Sequence, residues 1–162
     1  MIHRTAIVLV VLAAIAGCQP TTPGGPAPPP TMQAATDYLS TVVDLVLAGR
    51  LTELCRLGSG TCAHTLRNSD PGAVPRTRPI VVGSRIEPSV LRPGGVWSQG
   101  GLVLQLCGLD GRGRFYRSEI LVFNDGRRLI GKEPVFWVGL RIESGSTVGG
   151  PPPPDPPCPI AP

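Results

Sequence analysis

Lysine is almost absent from this chain: of 15 basic residues only Lys132 is lysine, and the rest are arginine. Aromatic residues are scarce, with three Phe, two Tyr and two Trp among 162 residues. That leaves no run of rings on which nucleic-acid bases could stack. Arginine in place of lysine is what a GC-rich genome gives; the mild net charge of +4 is also compatible with an anionic surface and falls well short of the clustered basic face of a nucleic-acid binder. Histidine occurs only at positions 3 and 64, and no G-x-S-x-G, H-E-x-x-H or G-x-x-x-x-G-K-[ST] pattern is present. The common serine-hydrolase, metalloprotease and P-loop chemistries therefore lack their residues. Long apolar runs are missing too. The longest, "TAIVLVVLAAI" over residues 5–15, falls well short of the roughly 20 residues that a membrane-spanning helix needs.

What is present begins with that short run. A charged start through Arg4, the apolar stretch and the small residues behind it have the three-part form of a secretory signal over residues 1–17. The stretch "IAGC" at Ile15–Cys18 resembles the lipobox of bacterial lipoproteins, with Ile15 where that box usually has Leu. The resemblance implies a diacylglyceryl group on Cys18, cleavage after Gly17 and a lipid bilayer as partner. It also implies a place on the extracytoplasmic side of the cell membrane or outer membrane. Two or more acyl chains anchor stably without a membrane-spanning helix. Residues 18–30 form a proline-rich tether, extended at about 3.1 Å per residue. The tail over 147–162 has similar composition.

Residues 31–146 remain for one domain. Met32, Ala35, Leu39, Val42, Val43, Val46 and Leu47 recur at helical spacing behind a candidate N-cap at Thr31, and Gly49 is the expected stop. A short second helix is expected over 51–57 and a third turn over 63–67. The period then becomes two, predicting strands over 79–87, 100–109, 114–123, 127–131 and 135–143. Asp-Gly and Asn-Asp-Gly turns join two of these pairs. Helices followed by hairpins give an α+β class, with the helices on an antiparallel, curved meander of about five strands. This element order, with the opening "DYLSTVVDLVLAGRLTEL", resembles the NTF2-like (cystatin-like) cone fold over residues 31–143. That family includes enzymes, transport adaptors and secreted modules, so the resemblance by itself assigns no activity.

Setting Cys18 aside, four cysteines remain: Cys55, Cys62, Cys107 and Cys158. In an exported protein an even number implies disulfides, and three pairings are open. Cys55 and Cys62 flank a Gly-Ser-Gly turn that brings them within bridging reach, which leaves Cys107 with Cys158. Cys55, Cys62 and His64 do not have the spacing of a zinc finger, so no metal is expected. Strand parity places Gln105, Arg117, Glu119, Trp137 and Arg141 on one polar surface. That surface is either a solvated sheet face, with Glu119 paired to an arginine across strands, or a ligand pocket with Glu119 as base or anchor. Tyr116 has the opposite parity and is expected to face away. No cofactor is implied. The expected role is a tethered binding or interaction module without catalysis, acting on an envelope protein or small ligand. The alternatives are a structural envelope protein, or an enzyme or carrier using a cone pocket around Glu119.

Overall fold

The computed structural model describes residues 26–58, 60–95, 97–140, 142 and 156–160. The signal segment, Cys18, Arg141 and most of the tail lie outside them.

Helix α1 spans Met32–Leu47. The Thr31 hydroxyl accepts the Ala34 amide at 3.2 Å and caps it as expected. Ala35, Tyr38, Leu39, Val42, Val43 and Val46 are buried along one stripe. The helix ends in a Schellman motif: Gly49, with φ +69°, donates to Val46 and Arg50 donates to Leu45. Only glycine takes that left-handed position cheaply, so the stop is written at this one residue. Helices α2 (Leu51–Leu57) and α3 (Cys62–Asn68) follow, stapled by the Cys55–Cys62 disulfide with Cα atoms 5.4 Å apart.

The main sheet holds four antiparallel strands in the order β1 (Ile80–Glu87), β4 (Gly101–Leu109), β5 (Phe115–Asn124) and β6 (Leu129–Lys132). Between β1 and β4, β2 (Val90–Leu91) and β3 (Trp97–Ser98) form a separate two-stranded sheet. No strand is expected from the sequence over that glycine-rich stretch. Aspartates tie the hairpin turns. Asp110 Oδ1 accepts the Arg112 and Arg114 amides, each at 2.9 Å, and Asp125 Oδ1 does the same for Arg127 and Arg128. The class is α+β.

One expected element is absent. The strand predicted over 135–143 is instead a 3-10 turn at Phe136–Val138. Pro134 precedes it, Glu133 has φ +58° and Gly139 has φ +73°, so the backbone bends at both ends. Val135, Phe136 and Trp137 are all buried, a run that two-sided alternation does not describe.

The two sheet faces differ. Leu102, Leu104, Leu106, Tyr116, Ile120 and Val122 point toward the helices and, with Val135, Phe136 and Trp137, build the principal core. The opposite face carries a small apolar cluster of Val103, Leu121 and Ile142, flanked by Phe123. It also carries the polar residues of the same parity. Of the C-terminal chain, Ile142, Pro156 and Cys158 pack on this second face. The Glu119 amide donates to Leu140 at 3.0 Å, and the Cys107–Cys158 disulfide fixes the tail with Cα atoms 6.3 Å apart.

Candidate functional site

On the second face Gln105 lies directly opposite Glu119 in the β4–β5 ladder. Glu119 is 4% exposed. Arg85, from β1, grips it with Nη1 to Oε1 at 2.5 Å and Nη2 to Oε2 at 2.9 Å. The Ile142 amide donates to Oε2 at 2.9 Å, and Gln105 Nε2 reaches Oε1 at 3.4 Å. Arg85 Nη2 also donates to the Ile142 carbonyl at 3.1 Å, so one guanidinium joins β1, β5 and the C-terminal segment. Burial opposes the charge on Glu119. The Arg85 hydrogen bonds, the Ile142 amide, the Arg85 charge and Gln105 outweigh it and hold the carboxyl below its ordinary range. A general base works best with a pKa near the operating pH, and this carboxylate is shifted the other way. Its geometry is that of a clamp between three segments. The cross-strand arginine anticipated for Glu119 is Arg85, a residue the sequence reading did not single out.

The five residues expected on one polar surface separate. Gln105, Arg117 and Glu119 do share the face. Arg117 Nη1 donates to the Pro156 carbonyl at 2.6 Å, and its guanidinium lies 5.6 Å from the Phe115 ring centroid. It therefore fastens the tail next to the Cys107–Cys158 bridge. Trp137 does not join them. It sits in the 3-10 turn, 3% exposed, edge-on to Phe136 with ring centroids 5.4 Å apart. Arg141 lies outside the described residues. Tyr116 faces away from Glu119, as its parity requires, and lies in the helix-side core. The thiols of Cys55 and Cys62 are spent in a disulfide, so they offer no thiolates beside His64.

Arg117 and Trp137 do border a common groove. Both line an open groove of about 530 Å³ between the end of α3, the 3-10 turn Pro71–Ala73, the β4–β5 turn and residues 136–139. Asp70, Asp110, Arg114 and Tyr116 also line it. The acidic groups are engaged: Asp110 Oδ2 accepts from Arg114 Nε at 2.8 Å, and Asp70 Oδ1 accepts from Arg112 Nη2 at 2.8 Å. The Tyr116 hydroxyl and the Trp137 indole N–H are different. Both polar atoms are enclosed and have no hydrogen-bond partner among the described residues. The Tyr116 ring packs against Gly108, where a Cβ would come within 2.5 Å of its oxygen. Burial, reinforced by the Asp110 charge, pushes the Tyr116 phenol well above its ordinary range, so it stays a donor. Native structures leave few buried donors unpaired, but both atoms lie beneath the groove's surface and are not presented to a ligand in it. Sequence parity put Tyr116 on this side, but no local signal brings Trp137 to it.

Comparison with protein-family models, with curated proteins and with solved structures gave no match for this chain.

Proposed function

We propose that this protein is an extracytoplasmic lipoprotein: a small, disulfide-stapled binding module held to a bilayer through acylated Cys18. The observation that carries the reading is the Ile15–Cys18 stretch, behind a charged start and an apolar run too short to span, and ahead of a proline tether. Cysteine pairing supports it. The chain has five cysteines and two disulfides use four, which leaves Cys18 as the remaining one. Two disulfides also suit an oxidising compartment.

The binding part of the reading rests on the open groove bordered by Asp70, Asp110, Arg114 and Arg117, whose mixed charges suit a polar ligand. The enzyme or carrier reading around Glu119 draws no support from the clamp, where the carboxylate is enclosed and bonded on both oxygens. Radiolabelled palmitate should enter the protein in bacterial cells and be lost completely in Cys18→Ser. Label that persists in that variant refutes the anchor.

A further inference from the structure

The β2–β3 hairpin presents an unusual tip. Leu91 pairs directly with Trp97, and these two large apolar side chains are 54% and 42% exposed. Ile86, next to the end of β1, is 66% exposed. The hairpin is braced at its base: Gly100 donates to Ser89 Oγ at 2.9 Å, and Gln99 Nε2 donates to the Asn124 carbonyl at 2.9 Å. A braced hairpin that holds Leu and Trp in water points to a partner surface.

The position of this tip indicates the partner. Glu87 of β1 lies opposite Gly101 of β4, so the hairpin emerges where β1 ends and β4 begins. In this antiparallel sheet β5 ends and β6 begins at the same pole, and their turn carries the exposed Arg127 and Arg128. Exposed Arg92 lies on the hairpin itself, bonded to Ser98 Oγ at 3.3 Å. Asp125 in the same turn accepts the Arg127 and Arg128 amides and its charge acts on both guanidinium groups, which leaves two cations against one anion there. Helix α1 starts from this pole as well. Asp44, late in α1, pairs with Arg78 just before β1, at the opposite pole. Tyr38, earlier in α1, lies against Gly131 of β6 and feels the Arg128 charge. From Asp44 back to Met32 the helix covers about 18 Å, which returns the chain to the hairpin end. The tether joins the domain there.

We propose that this pole docks on an anionic lipid bilayer, with Leu91 and Trp97 in the interface and Arg92, Arg127 and Arg128 on headgroup phosphates. Tryptophan is enriched at membrane interfaces because its ring is apolar while its N–H is polar. Arginines beside it add attraction to anionic lipid. The inference rests on the lipid-anchored reading for one element only, the tether that keeps this pole within reach of the membrane and raises its effective concentration there.

The chain has two tryptophans, and Trp137 is buried, so quenching reads Trp97. The protein purified from bacterial membranes is checked for acylation by intact mass, then placed on vesicles with and without phosphatidylglycerol. On anionic vesicles, Trp97 emission should shift to the blue, brominated phospholipid should quench it, and acrylamide should lose access to it. Trp97→Phe should abolish the response. Arg127→Ser and Arg128→Ser should each lower the docked-to-free ratio about fivefold. Unchanged acrylamide access on anionic vesicles overturns the proposal. So does protection of Trp97 that follows protein concentration without lipid, since that marks a second copy of the chain. If intact mass shows no acyl group, the anchor reading fails alone, and the vesicle measurement on the same protein still decides the pole.

Discussion

Replacing Arg85 with Met tests the clamp most directly. It removes the cation from a carboxylate that is 4% exposed. Breaking a buried pair from one side costs about 3–5 kcal/mol, because the other charge is left uncompensated. Ile142 N and Gln105 Nε2 still reach Glu119. The lower end, about 3 kcal/mol, is therefore expected. Glu119→Gln is the milder change. The amide oxygen still accepts, and the Arg85 side chain is 26% exposed and near the Glu87 charge. Its cost should be about 1–2 kcal/mol. The two variants should also differ in pH dependence. In the wild type the folded pKa of Glu119 lies below the unfolded value, so its contribution is present above the unfolded pKa and lost as pH falls through the folded one. In Arg85→Met burial dominates and the folded pKa rises, so the penalty exists above the unfolded pKa and shrinks in acid. Denaturant unfolding between about pH 7 and about pH 3 should show the gap to wild type narrowing as pH falls. Equal losses in the two variants, or a gap that ignores pH, would refute the clamp.

Two further perturbations follow from the same structure. The Cys107–Cys158 bridge closes a sequence separation of 51 and Cys55–Cys62 one of 7. In the chain-entropy account, replacing each pair by serine costs about 4 and about 2 kcal/mol respectively. Equilibrium unfolding should rank them in that order, and a reversed order would mean that the tail bridge adds nothing. Burial, partly offset by the Gly131 amide and the Arg128 charge, pushes the Tyr38 phenol up to about 12, and Tyr116 lies higher. Both contributions to stability are full below the unfolded value of about 10 and are lost as pH rises through the folded values. Phenolate absorbance should therefore grow in step with loss of near-ultraviolet circular dichroism. A tyrosine that titrates near pH 10 in the intact fold contradicts this.

The local elements were legible because their causes are local. The apolar stripe of α1, its Thr31 cap and Gly49 stop, and the turns at 110–113 and 124–126 tied by Asp110 and Asn124 all act within a few residues. The 135–143 stretch misled for the same reason. Phe136, Val138, Leu140 and Ile142 alternate like a strand, but Pro134 and the positive φ of Gly139 bend the backbone, and Trp137 turns into the core. The β2–β3 hairpin has strands of two residues each, too short to show a period, and it is the positive φ of Gly94 and Gly95 that lets Trp97 return to Leu91.

The sequence by itself determined the helices, most of the strands, the parity that puts Gln105 beside Glu119, and a cysteine spacing that suggested the observed pairing. The lipobox reading also stands on sequence alone. Tertiary structure decided which arginine meets Glu119, that Ile142, Pro156 and Cys158 pack on that face, and that Trp137 joins Tyr116 instead. Alternation along a strand states that two faces exist. It does not state what covers either one, because that depends on register across several strands and on where a distant segment returns to close the fold.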